Sequence, residues 1–128
     1  MQGPDELDRA FSTIAGERAD ALIVFPSPML FVERRRIVEL AAKRRLPSMA
    51  MGREFVELGG LMSYGASLTD LSRRGATYVD KILKGANPGE LPFEQPTRYV
   101  LVINLKTAKA LGLAIPQSLL LRADRVVQ

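Results

Sequence analysis

The side chains able to do chemistry in this chain are few, and they fall in three short loops. Pro26-Ser27-Pro28 offers a hydroxyl between two prolines. Gly52-Arg53-Glu54 sets a cation and a carboxylate behind a glycine, and Tyr64-Gly65-Ala66-Ser67 supplies a phenol and a second hydroxyl. Each loop precedes a helical pattern, so unpaired backbone N–H groups and the positive end of a helix dipole face whatever binds there. That combination suits a carboxylate or another small anion. Ser27, Pro28, Gly52, Arg53, Glu54 and Tyr64 are therefore the candidate ligand-binding residues. Plainer readings stand beside these. Ser27 and Ser67 occupy helix-cap positions, the better reading for both. Arg53 can pair with Glu54 or Glu57 at the surface, which contributes little. Tyr64 serves equally well as packing.

Reactive chemistry is harder to assemble. The chain has no cysteine and no histidine, which removes disulfides, thiolate nucleophiles, His-based triads and the usual zinc ligand sets. Glu54, Asp70 and Asp80 lack the spacing of a calcium loop. Gly59-Gly60 and Gly65 match neither a dinucleotide fingerprint nor a phosphate loop. No nucleophile, base and orienting group come together, so the expectation is a non-enzymatic protein with no catalytic residue, metal or cofactor. The net charge of +4, from 18 basic and 14 acidic residues, bears on solubility more than on partners. Arg34, Arg35 and Arg36 are consecutive and fan around a helix. They read as a solvated surface rather than a nucleic-acid face.

The elements that must position the loops follow from pattern. With 128 residues, 47% hydrophobic and 25% charged, the chain fits one compact α/β domain. Gly3 and Pro4 lead into a helix with Leu7, Ala10, Phe11 and Ile14 on one face, fading near Gly16. Ala21–Phe25 is a short apolar run, a strand covered on both sides. A helix over Met29–Arg44 buries Leu30, Ile37, Leu40 and Ala41, and Ser48–Met51 forms a second strand. Strand, helix and strand this close imply a right-handed crossover and a parallel sheet. A short helix over Arg53–Leu58 and a strand over Leu61–Tyr64 follow. From Ser67 to Gly85 runs the longest helix, with Leu68, Leu71, Gly75, Tyr78, Val79, Ile82 and Leu83 in one apolar stripe. Pro88, Pro92 and Pro96 mark an extended connection. Tyr99–Ile103 is a strand, Asn104 caps a helix over Leu105–Leu111, and Gly112 closes it. The tail holds a helical turn and a terminal strand at Val126.

The run from Ala76 to Asp124, ATYVDKILKGANPGELPFEQPTRYVLVINLKTAKALGLAIPQSLLLRAD, strongly resembles the C-terminal end of bacterial ABC transporter substrate-binding proteins. The matching pieces are Lys81–Gly85, Pro88, Leu91–Pro92, Glu94–Pro96, Leu101–Leu113, Ile115–Pro116 and Ser118–Asp124. ADALIVFPSP and RRRIVELAAKRRLPSMAMGREFVELGGLMSYG fit as well, so the resemblance covers nearly the whole chain. It implies a Rossmann-like parallel sheet flanked by helices, one lobe of a type I periplasmic-binding-protein fold. Residues 1–128 would be part of the C-terminal lobe, with 67–85 crossing toward a first lobe outside this sequence. The implied function is capture of a small solute, often an amino acid or related anion, for an ABC importer and its permease. Gly65-Ala66-Ser67 stands where some members carry an acidic and aromatic pair, so ligand identity does not carry over.

Further expectations follow. One wall of a cleft should bind solute weakly or not at all. The uncovered stripe of 67–85 should drive a homodimer or larger assembly, with exchange of C-terminal segments as one route. The resemblance implies a periplasmic location. MQGPDELDRAF lacks the pattern of a signal peptide, which implies a cytoplasmic chain as written. A cytoplasmic α/β module binding a nucleotide or regulatory small molecule is the alternative.

Overall fold

The computed structural model describes residues 5–128, so Gly3 and Pro4 lie outside the described residues. It divides into two compact units, Met1–Gly65 with Leu101–Gln128, and Ala66–Val100.

The first unit is built on a sheet. Helix α1 (Asp5–Gly16) leads to strand β1 (Leu22–Val24). Helices α2 (Pro28–Val32) and α3 (Arg34–Lys43) return to β2 (Ser48–Ala50), and α4 (Arg53–Glu57) returns to β3 (Met62–Ala66). After helix α5 (Leu68–Leu83) come β4 (Tyr99–Asn104), α6 (Leu105–Leu111), α7 (Gln117–Leu120) and β5 (Arg125–Val127). The sheet order is β1-β2-β3-β4-β5. β1 with β2, β2 with β3, and β4 with β5 pair in parallel. The β3–β4 seam differs: Asn104, ending β4, donates its N–H to the Leu61 carbonyl just before β3 (2.8 Å). The end of one strand lies against the start of the other, so β4 and β5 run opposite to β1–β3.

One face of the sheet carries the core. Val24 and Ala50 pack with Leu7 and Phe11 of α1, Ile37, Val38 and Ala41 of α3, and Phe55 of α4. Burying a side chain such as Phe11 or Ile37 contributes roughly 1.5–3 kcal/mol, which makes this face the main source of stability. The helix expected over Met29–Arg44 is two helices meeting at Glu33 (φ −82°, ψ 8°). Hydrogen bonding runs across the bend, from Glu33 N–H to Met29 O and from Ile37 N–H to Glu33 O, both 3.0 Å. The bend lets α3 bury Ile37, Val38 and Ala41 while α2 buries nothing. The arginine run disperses as the helical geometry requires. Arg34 lies over the Phe31 ring, and Arg36 pairs with Asp8.

Asn104 caps α6 by accepting the Thr107 N–H (3.0 Å), and Gly112 closes that helix at φ 73°. Gly65 is required by close approach. A Cβ there would lie 2.1 Å from the Met51 carbonyl oxygen, which belongs to backbone.

The second unit is α5 and the chain that follows it. Ser67 caps α5, its hydroxyl accepting the Asp70 N–H (3.3 Å), and Gly85 ends it in the left-handed region at φ 100°. Ala86 N–H to Lys81 O and Gly85 N–H to Ile82 O complete the Schellman closure. A 3-10 turn at Pro88–Glu90 begins the proline-rich connection. Arg74 pins that connection to the helix, donating to Glu94 (3.0 Å) and Thr97 (2.6 Å). Tyr78 donates its phenol proton to the Pro92 carbonyl. Partial desolvation and the Glu94 carboxylate raise its pKa above the ordinary tyrosine value, so it remains a donor.

Two glycine substitutions should part company in thermal melts. Gly65→Ala forces β2 and β3 apart and should destabilise by about 3 kcal/mol or prevent folding. Gly75→Ala, on α5 with open space around its Cβ position, should stabilise by up to about 1 kcal/mol.

Candidate functional site

Register places the three loops along one edge of the sheet. Leu22, Ile23 and Val24 pair with Ser48, Met49 and Ala50, while Met49 and Ala50 pair with Met62 and Ser63. The carboxyl ends of β1, β2 and β3 therefore lie side by side. They deliver Ser27–Pro28, Gly52–Glu54 and Tyr64 to a common rim about 10 Å across, two strand spacings.

The same register reveals a feature the sequence did not suggest. Paired residues project to the same side, so Ile23, Met49 and Met62 form a row on the face opposite the α1–α3 core. Two residues further along, just past the last paired residues of β1 and β2, come Phe25 and Met51, with Tyr64 at the corresponding position of β3. Their exposures are 69%, 44% and 48%. Three large, exposed side chains thus follow the paired residues where the loops begin. Phe25 and Met51 were read only as strand residues; alternation along paired strands is the signal that would have found them.

Individual residues sort as follows. Ser27 holds the N-cap position of α2 in extended conformation, but its hydroxyl makes no capping hydrogen bond. The cap reading preferred from sequence is not what the side chain does, and the hydroxyl is available to a ligand. For Ser67 the cap reading holds. Pro28 opens α2 and stands exposed at the rim. Arg53 makes a loose pair with Glu57 (4.0 Å), its side chain 65% exposed. Glu54 folds back over Gly52, with a carboxylate oxygen 2.7 Å from the position a Cβ would take there. A phosphate at Gly52 would meet that negative charge. Tyr64 reaches the rim as an amphipathic ring. Helices α2 and α4 have five residues each, so the field of their N-termini is small and the binding character rests on side chains.

Ionic contacts around the rim are sparse. Glu57 is shared by Arg53 and, at 3.6 Å, by Arg125. Among the described residues no group of His, Cys, Asp and Glu is placed to hold a metal ion, and no helix is long and apolar enough to cross a membrane. The rim offers a hydroxyl, a mobile cation and three large exposed side chains, an arrangement for holding a molecule by contact.

A sheet flanked by helices, with polar loop residues gathered at the carboxyl ends of three parallel strands, is the α/β architecture in which ligands gather at that edge. The chain belongs to the ABC transporter substrate-binding protein family, which matches residues 2–127. No curated protein matches it. Among solved structures, a conserved domain protein from Vibrio cholerae is 27% identical with a TM-score of 0.86, covering 95% of this chain and 41% of its own. An ABC domain from Streptococcus pneumonia, in complex with L-Trp, is 28% identical with a TM-score of 0.83, covering 94% and 41%. A ligand-free, open substrate-binding protein with adhesive properties from Clostridium difficile shares the fold at a TM-score of 0.68. It is 21% identical, covering 100% and 42%. The chain therefore spans about two-fifths of the length of these structures.

Arg53→Ala should change unfolding free energy by less than about 0.5 kcal/mol, because an exposed, long ion pair contributes little. Urea titration checks this. A larger loss would make Arg53 a structural residue rather than a free cation at the rim.

Proposed function

We propose that this chain forms one wall of the solute-binding cleft of an ABC importer's receptor. It takes a small amino acid or related anion carrying an apolar body. The observation that carries this reading is the common edge of β1–β3, where exposed Phe25, Met51 and Tyr64 lead into the loops that carry Ser27 and Arg53. An apolar body lies along these side chains, and a carboxylate is met by the hydroxyl and the cation. The L-Trp bound by the relative from Streptococcus pneumonia supports a solute of that kind. The solute is held and released unchanged, since the rim lacks a paired nucleophile and base. A receptor of this class works on the periplasmic or extracellular side, handing its solute to a membrane permease.

Enclosure between two walls supplies most of the affinity in such a cleft, and closure about a hinge signals the loaded state. We assign the second wall to a further lobe, which residues 67–85 join. With the chain alone, calorimetry against L-amino acids should show no micromolar binding. Amide NMR at millimolar solute should show shifts confined to the Ser27, Gly52, Arg53 and Tyr64 neighbourhood. Tight binding would overturn the single-wall reading, and shifts elsewhere or none at all would overturn the assignment of the rim.

The stripe of α5 bears on assembly. Leu68, Val79 and Leu83 are exposed, and α5 buries no residue. An apolar helix face of this kind associates with another. Light scattering at micromolar concentration should give a dimer or larger species, and Val79→Lys should shift it toward monomer. A clean monomer of the unaltered chain would refute the association.

A further inference from the structure

Because β4 and β5 run opposite to β1–β3, their carboxyl ends lie at the other edge of the sheet, away from the rim. A groove of about 610 Å³ opens there, between α3 and α6. Its volume falls in the range of small-molecule sites. Val38, Ala41, Leu46, Leu58, Leu111 and Val127 give it an apolar lining. Arg45 and Lys106 also line it, as does Glu57, whose carboxylate is already engaged by Arg53 and Arg125. Two cations against one carboxylate leave the charged side chains of the lining positive on balance.

Arg45 is the cation that α3 brings to the groove. It ends α3 in the left-handed region at φ 53°, a position where glycine is free of strain and arginine is not. The bonds from Arg45 N–H to Ala42 O and Leu46 N–H to Ala41 O hold it there. Its guanidinium makes one long hydrogen bond, 3.3 Å to the Ala110 carbonyl at the end of α6, and keeps its remaining donors. This helix closure, whose φ Arg18 shares at the end of α1, fixes where the Arg45 side chain leaves α3 and so places its cation at the groove.

We propose that this groove is a second ligand site, separate from the solute rim, for an amphipathic monoanion: a carboxylate on a short alkyl chain. The chain lies on the Leu46–Leu58–Val127 floor, and the carboxylate is met by Arg45 and Lys106. Octanoate is the probe, with octanol as its uncharged counterpart, followed by amide NMR at low ionic strength. Octanoate should shift the amides of Ala42, Arg45, Leu58, Lys106 and Ala110 and bind at least five-fold more tightly than octanol. Arg45→Gly, which relieves the strain and is expected to fold, should weaken octanoate about ten-fold without affecting octanol. Lys106→Ala should weaken octanoate in the same direction, and Tyr64→Ala at the rim should change neither. Equal affinity for the two probes, unchanged octanoate binding in Arg45→Gly, or shifts at the rim or along α5 would overturn the proposal.

Discussion

The fold depends on one buried amide. Asn104 lies at the end of β4 and ties four elements together. Its backbone N–H reaches Leu61 before β3, its side-chain oxygen accepts the Thr107 N–H in α6, and its side-chain nitrogen donates to the Val56 carbonyl in α4 (3.3 Å). Thr107 adds a bond from its hydroxyl to the Gly59 carbonyl (2.9 Å). A buried amide is costly unless its groups are paired, and here the pairing is what positions the helices. It holds the last turn of α4, the helix that the Gly52–Glu54 loop opens. It also fixes where α6 starts, which sets one side of the groove at the opposite edge. A single satisfied side chain thus reaches both edges of the sheet.

Local signals were legible in the sequence because their physics is local. Ser67 and Asn104 act as caps, Gly85 and Gly112 close helices with positive φ, and the apolar period of α5 is the period of the helix found. The strand at Tyr99 and the terminal strand at Val126 follow from β-forming composition and are paired as parallel neighbours. Sequence also marked the three rim loops, because Pro and Gly interrupt apolar runs there.

What the sequence hid is what depends on pairing. An apolar run carries no direction, so YVLVI could not reveal that β4 turns against β3 while β1 with β2, β2 with β3, and β4 with β5 are parallel. Nor could it place Phe25 beside Met51 and Tyr64, since that neighbourhood exists only once register is set. Arg18 and Arg45 close helices in left-handed conformation, at φ 54° and 53°, where reading for glycine misses them. Arg74 of α5 is the clamp that holds the proline-rich connection, a role that helical period does not reveal. The Glu33 bend follows from what α3 must bury, which no local propensity states.

The reversed seam gives the sheet its functional logic. In an open parallel sheet, ligands gather beyond the carboxyl ends of the strands, so a uniform direction makes one edge eligible. Here β1–β3 send their carboxyl ends one way, and β4 and β5 send theirs the other. Loops at the first edge carry Ser27, Arg53 and Tyr64, and the second edge is framed by Asn104 and Val127 beside Arg45 and Lys106. The edges differ in chemistry as well as position. Large exposed side chains with a movable arginine suit a solute that a second wall must enclose, whereas a recessed trough with a strained arginine is already concave. Glu57 lies between these demands, lining the groove while pairing with Arg53 at the rim and Arg125 on β5. Because its pairs are exposed, the coupling it can transmit is limited to a fraction of a kcal/mol, about the contribution of a surface ion pair. One scaffold therefore frames both edges, and the coupling available between the two proposed sites is small.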